Sequence, residues 1–256
     1  NVPIGAVSKE NIYSRDWNIW HMSHEGGELE NTWTKPKDSM FQLSKSPQDA
    51  PDKETEVVIE FERGLPVGLD GERLAPLEIL NRLNELGAEN GIGRTDLVET
   101  RLVGMKSRGV YETPGGTILF QALRDLEMIT MDFDTLSMKN AMALKYSDIV
   151  YAGKWFYHFR ESMDAYMEKA CEYTTGSVRV GLYKGNIILN GRQSEYSLYL
   201  EDLASFGESA YDHKDATGFI NLYGLATGVA AMVHKKRRSD AGPAVEMRAM
   251  AGFHEK

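Results

Sequence analysis

Along the 256-residue chain the alternation of apolar and polar positions changes rhythm several times. EVVIEFERG, from Glu56 to Gly64, alternates with a period of two and predicts a strand. LPVGLDGERL follows, with an Asp70-Gly71 pair suited to a tight turn. Over 76–91 the rhythm becomes helical. Leu77, Ile79, Leu80, Leu83 and Leu86 share a face, and Pro76 takes the first position, where its missing N–H costs nothing. TDLVETRLVGMK, 95–106, reads as extended. TILFQALRDLEMITM, TLSMKNAMALKYSDIVYAGKWF and SMDAYMEKACEYTTG read as three helices, the last with a glycine stop. Their methionines and aromatics are expected to fill the core. SVRVGLYKGNIILNGRQS reads as a hairpin turning at Lys184-Gly185. DATGFINLYGLATGVAAMVHKK, 215–236, reads as a helix whose inner glycines permit a break, and the polar tail from Ser239 is expected to fray. Before residue 50 there is little periodicity, and KSPQDAPDKE reads as an exposed loop.

Strands and helices come in mixed order without regular βαβ alternation. The expected fold class is therefore α+β, a mixed sheet packed by several helices, with a long C-terminal helix. Composition adds limits. Apolar residues make up 42% and charged residues 26%, ordinary for a globular chain. A net charge of −9 argues against a nucleic-acid surface, which needs a basic footprint. The exception, HKKRR at 234–238, reads as the solvated end of a helix. The single cysteine, Cys171, excludes an internal disulfide, suits a reducing cytosol and is expected to be a buried, inert thiol. No apolar run is long enough to cross a bilayer, and no secretory signal is seen, so no membrane partner is expected. The opening NVPIGAVSKENIYSRD has no initiator Met and reads as if cut from something longer.

The chemistry-bearing text centres on RLVGMKSRGVYETPGG, 101–116. The Gly104 and Gly109 spacing is that of a P-loop, but Val110 and Tyr111 stand where Lys and Ser/Thr are needed, so that reading fails. No Gly-x-Gly-x-x-Gly opens a helix, so a dinucleotide site is unsupported. His21 and His24, with Glu25, have a spacing that could serve a metal, but ordinary loop packing and hydrogen bonding is the preferred reading and no metal site is expected. No catalytic triad can be proposed from spacing. What survives is a polar cluster: hydroxyls in YSRD and HMSHEGGELE, Glu99 in an otherwise apolar strand, and Tyr111 after glycines that let backbone approach a ligand. Hydroxyls, a carboxylate and a phenol suit a zwitterionic amino acid. The competing reading is that Glu99 is merely salt-bridged to Arg101 or Arg94. Arg101, Lys106 and Arg108 either assist a ligand or pair with surface carboxylates.

YSRDWNIWHMSHEGGELE, GRTDLVETRLVGMKSRGVYETPGGTIL, ALKYSDIVYAGKWF and GSVRVGLYKGNIILNGRQSEYSLY together resemble the C-terminal part of the argininosuccinate synthase family. The resemblance runs from near residue 1 to about residue 236. It implies an ATP-dependent ligase that joins citrulline and aspartate to give argininosuccinate, AMP and pyrophosphate, acting in the cytoplasm as a homotetramer. It implies citrulline contacts at Ser14, Ser23, Glu99 and Tyr111, with Glu99 assigned to the α-ammonium by charge. No catalytic residue and no metal ligand is carried over. ATP and Mg²⁺ are expected to belong mainly to the family's N-terminal half, whose Ser-Gly-Gly-Leu-Asp-Thr-Ser loop is absent here, as is the aspartate-binding segment. The implied division is a synthetase domain, 1–213, and an oligomerisation helix and tail, 214–256, reaching neighbouring subunits. The alternative is a module that oligomerises without binding ligand on its own. One departure stands out: Thr100 occupies a position where the family usually has Asn, which puts the hydrogen bonds around Glu99 in doubt.

Overall fold

A computed structural model describes residues 13–204 and 211–240. The opening residues 1–12 and nearly all of the tail for which fraying was expected lie outside the described residues. The chain forms two compact units, Asn1–Tyr199 and Leu200–Lys256.

The first unit runs β1 (Ser14–Trp17), β2 (Met22–Glu25), β3 (Thr55–Glu62), β4 (Leu65–Leu69), β5 (Glu72–Arg73), α1 (Pro76–Glu89), β6 (Arg94–Thr100), β7 (Lys106–Glu112), α2 (Pro114–Thr130), α3 (Phe133–Tyr151), α4 (His158–Ala170), β8 (Gly176–Tyr183) and β9 (Asn186–Gln193). The α+β class is borne out. Among the described residues the strands form two sheets, ordered β1-β2-β7-β6 and β5-β4-β3-β8-β9. Every pairing in both is antiparallel.

The five-stranded sheet holds the main core, as its alternation dictates. Val57, Ile59 and Phe61 of β3 face the same side as Val178, Val180 and Leu182 of β8, with Val57 opposite Val180 and Ile59 opposite Val178. Onto that side α1 packs Ile79 and Leu83, and α2 packs Ile118, Ala122 and Leu126. Burying each of the larger side chains contributes about 1.5–3 kcal/mol. Leu77, assigned to the apolar stripe by sequence, lies off it and is exposed. The turns at Arg63-Gly64, Asp70-Gly71 and Lys184-Gly185 have positive φ at both residues, the mirror-image geometry that matches strand twist. Two buried carboxylates on α2 are ion-paired: Asp125 to Arg192 of β9 at 2.6 Å and Glu127 to Lys139 of α3 at 2.8 Å.

The expectation that methionines and aromatics of the three central helices fill the core needs correction. Met163 and Met131 are buried, but Met128, Phe133, Met138, Trp155, Phe156 and Phe159 are exposed. The physical reason is that α3 and α4 pack mainly on each other, which covers one side of each. Cys171, at the end of α4, is half-buried, and burial pushes its thiol up, consistent with an inert thiol.

The second unit contains α5 (Glu201–Ala204), α6 (Asp215–Tyr223) and α7 (Leu225–Asp240). The predicted C-terminal helix is broken at Gly224, and α6 and α7 meet at 42°. Phe219, Leu222, Tyr223 and Leu225 are exposed, as are His234–Arg237. Among the described residues no single helix is long and apolar enough to cross a membrane; α6 and α7 taken together reach that length and composition but are bent.

Candidate functional site

The four-stranded sheet brings the sequence-predicted residues together. Its register puts Ser23 opposite both Asp16 and Tyr111, Tyr111 opposite Thr95, Ser14 opposite Glu25, and Glu99 opposite Ser107. Side chains alternate along a strand and directly opposed residues share a face. Ser14, Ser23, Glu99 and Tyr111 therefore lie on one face, with Asp16, Glu25 and Ser107. The other face carries Met22, His24, Val110 and Glu112, and covers a small second core of Leu29, Met40 and Val110.

On the first face, the Tyr111 ring lies back along its strand over Gly109. A Cβ at Gly109 would stand 2.7 Å from the ring and 2.8 Å from the phenol oxygen. Glycine is needed here for close approach, not for an unusual backbone angle. His21 meets the Tyr111 ring edge-on at 5.7 Å between centroids. Burial pushes the Tyr111 phenol up; the Glu99 and Glu25 carboxylates and Tyr151 add to this, and Arg101 opposes it. The phenol stays protonated at neutral pH and can donate a hydrogen bond.

Glu99 is half-buried, and among the described residues its carboxylate has no hydrogen bond and no ion pair. The two arginines suggested as its partners are engaged elsewhere. Arg101 donates to Glu25 at 2.8 Å and to Ser107 at 3.0 Å. Arg94 donates to Ser44 and Asp38. Thr100 faces the opposite side and accepts from Lys106, so it does not touch Glu99. Ser14 is exposed. Ser23 is buried, and its hydroxyl has long contacts to the Asp16 backbone, 3.3 and 3.5 Å, which makes it the least available of the four. Arg108 is bound on the other face, to Asp96 at 2.6 Å and to the carbonyls of Leu29, Asn31 and Thr34.

The opposite face has its own buried charge, which the sequence did not single out. Glu112 is fully buried and accepts five hydrogen bonds: from His24 Nε2, the Gln42, Leu43 and Ser44 amides, and the Ser44 hydroxyl, at 2.7–3.0 Å. Burial alone would raise its pKa, but the donors, His24 foremost, outweigh this and hold it at about 2. Arg15 Nε donates to His24 Nδ1 at 3.0 Å, which assigns the proton on the imidazole to Nε2. His24 is thus a hydrogen-bonded bridge. His24 and Glu25 point to opposite faces, so the metal reading of His21, His24 and Glu25 fails. No group of three or more His, Cys, Asp or Glu suited to a metal occurs among the described residues.

Nor do these residues fit a nucleotide. Residues 101–105 form a turn ahead of β7 and do not open a helix. At the start of α2 the Gly115 amide is taken by Asn84 Oδ1, and Trp20 lies against Gly116. A cleft of about 650 Å³ is lined by Trp17, Ile19, Trp20, His21, Asn81 and Asn84, with no Lys or Arg for phosphate. What the first face can do is hold a small zwitterion, with one free carboxylate for an ammonium and hydroxyls for a carboxylate.

Comparison with known proteins agrees with the sequence resemblance. Residues 13–230 match the family described as arginosuccinate synthase C-terminal domain. Similar proteins include chloroplastic argininosuccinate synthase of Arabidopsis thaliana, 54% identical over 92% of this chain and 48% of the relative. Argininosuccinate synthases of Moorella thermoacetica and Carboxydothermus hydrogenoformans are 51% and 53% identical, covering 92% and 91% of this chain and 58% of each relative. The chain therefore spans about half the length of the curated relatives it matches.

Proposed function

The chain belongs to the argininosuccinate synthase family, a family of ligases, and we propose that the outward face of its four-stranded sheet is the citrulline-binding wall of such an enzyme. The observation that carries this reading is the shared face of Ser14, Ser23, Glu99 and Tyr111 with Glu99 left unpaired. Glu99 takes the α-ammonium. The serine hydroxyls and the Tyr111 phenol serve the α-carboxylate. In this reading the whole protein joins citrulline to aspartate at the expense of ATP in arginine biosynthesis, in the cytoplasm. The chain's contribution is positioning, since a neutral ureido group is a poor nucleophile and gains from being held in one orientation. ATP and Mg²⁺ are assigned to the part of the relatives' length that this chain does not span, because the residues here do not fit them.

Calorimetric titration of the chain with citrulline tests the reading. Glu99→Gln is expected to weaken binding by about tenfold or more, the loss of a charge-assisted hydrogen bond. Unchanged affinity in that variant, or no binding by the unsubstituted chain at millimolar citrulline, would overturn it.

A second role is proposed for residues 214–256, as an arm in a homotetramer. It is supported by the apolar side chains that α6 and α7 leave exposed, Phe219, Leu222, Tyr223 and Leu225 among them. Sedimentation of the chain with and without residues 215–256 tests this; a monomer in both cases would count against it.

A further inference from the structure

The outward face carries more charge than one zwitterion needs. Glu25 and Glu99 both lie on it, and both reach the Tyr111 phenol electrostatically. Asp16 shares the face but sits exposed on the edge strand, where water screens it. Arg101 is two residues from Glu99, the nearer carboxylate in sequence. Its guanidinium nonetheless crosses β7 to reach Glu25 Oε2, and the same Nη2 donates to the Ser107 hydroxyl on the way. In the register, Ser107 lies opposite Glu99. Tyr111 lies opposite Ser23, which places Gly109 beside Glu25. The guanidinium thus ends next to the Gly109 gap that the Tyr111 ring covers. Of the two carboxylates that reach the Tyr111 phenol, Glu25 is paired with the Arg101 guanidinium and Glu99 is not.

We propose that the Arg101–Glu25 pair is a charge filter, making the face selective for an amino acid with an uncharged side chain over one with a cationic side chain. The proposal rests on reading this face as the citrulline site and adds the residues that set its specificity. An amino acid with a neutral carbamoyl-type side chain brings one ammonium to one free carboxylate, and the charges balance. A guanidino or amino side chain brings a second cation. It finds Glu25 already engaged by Arg101, and it meets that guanidinium. Selectivity here comes from a repulsive element and from occupying an attractive one, without extra contacts to the preferred ligand. Arg101 and Ser107 also pin the end of the β6–β7 hairpin, so a merely structural role has to be distinguished from a role in charge.

The experiment is a pair of calorimetric titrations of the chain, with citrulline and with arginine, which differ at the end of the side chain by a neutral ureido against a cationic guanidinium. The readout is the ratio of the two dissociation constants. Arg101→Met frees Glu25 and is expected to shift the ratio toward arginine by roughly tenfold, the effect of one charge at a half-exposed site. Arg101→Lys keeps the charge and is expected to retain most of the selectivity. Glu25→Gln frees the guanidinium and is expected to shift the ratio the other way. Opposite shifts in Arg101→Met and Glu25→Gln support the filter. An unchanged ratio in both, including parallel weakening of both ligands, overturns it and leaves Arg101 a structural residue. Failure of the site reading looks different: the unsubstituted chain binds neither amino acid, or Glu99→Gln leaves both affinities where they were.

Discussion

Glu99 and Glu112 stand on neighbouring strands of one sheet and have opposite fates. Glu112, on the inward face, is fully buried and accepts five hydrogen bonds. Glu99, on the outward face, is half-buried and has none among the described residues. A buried carboxylate persists only when its desolvation is offset, and Glu112 shows that offset complete. A carboxylate left without partners in a partly dry setting is where a ligand's charge can do the same work. The contrast shows that residue type alone says little. Its face in the sheet decides whether a glutamate serves the fold or a ligand.

The largest expected effect comes from breaking the saturated member. Every partner of Glu112 is a donor. In Glu112→Gln the new NH₂ meets donors whichever way the amide is turned: His24 and the Gln42 amide on one side, the Leu43 and Ser44 amides on the other. His24 cannot switch tautomer without losing its bond from Arg15. Denaturant unfolding is expected to show a loss of about 3 kcal/mol. The same residue sets an acid limit. Its folded pKa, about 2, lies below the ordinary 4.5, so its contribution is fully present above pH 4.5 and fades as pH falls through 2. The shift corresponds to about 3 kcal/mol. Acid titration of stability should therefore lose its steepest component in Glu112→Gln. A wild-type acid profile in that variant would show that Glu112 is not the group responsible.

Gly109→Ala probes the outward face at intermediate cost. The added Cβ would stand 2.7 Å from the Tyr111 ring, which must swing away from the Gly109 gap. Expected are a stability loss of about 1 kcal/mol, at the low end of overpacking effects, and weaker citrulline binding measured by calorimetry. Unaltered binding would mean that the ring's position over Gly109 is not part of the site.

Much of this architecture was legible in the chain. The period in ILNRLNELGAE marked α1, and Asp70-Gly71 and Lys184-Gly185 marked their turns, because backbone geometry there admits few residue types. The four-stranded sheet was harder to see. β1 and β2 are four residues each and too short to show a period, and β2 pairs with β7 almost ninety positions away. The site residues were therefore reached through their motifs, while their shared face emerged only from the register. Glu112 went unnoticed beside Tyr111 in VYETP, since nothing local says that adjacent residues face opposite ways until the segment is known to be a strand. On α3 and α4 the apolar spacing suggested burial that the fold provides on only one side of each helix.

The smallest expected effect is the sharpest test of the contrast. Glu99→Gln removes a charge that no described residue compensates, so the folded state loses no bond. Unfolding stability is expected to change by less than about 0.5 kcal/mol. The same isosteric change at Glu112 is expected to cost several times more. If Glu99→Gln instead destabilised the chain as much as Glu112→Gln does, Glu99 would be a structural carboxylate and the two faces would not differ in kind. A near-silent change in stability joined to a loss of citrulline affinity would locate the missing partner of Glu99 in the ligand.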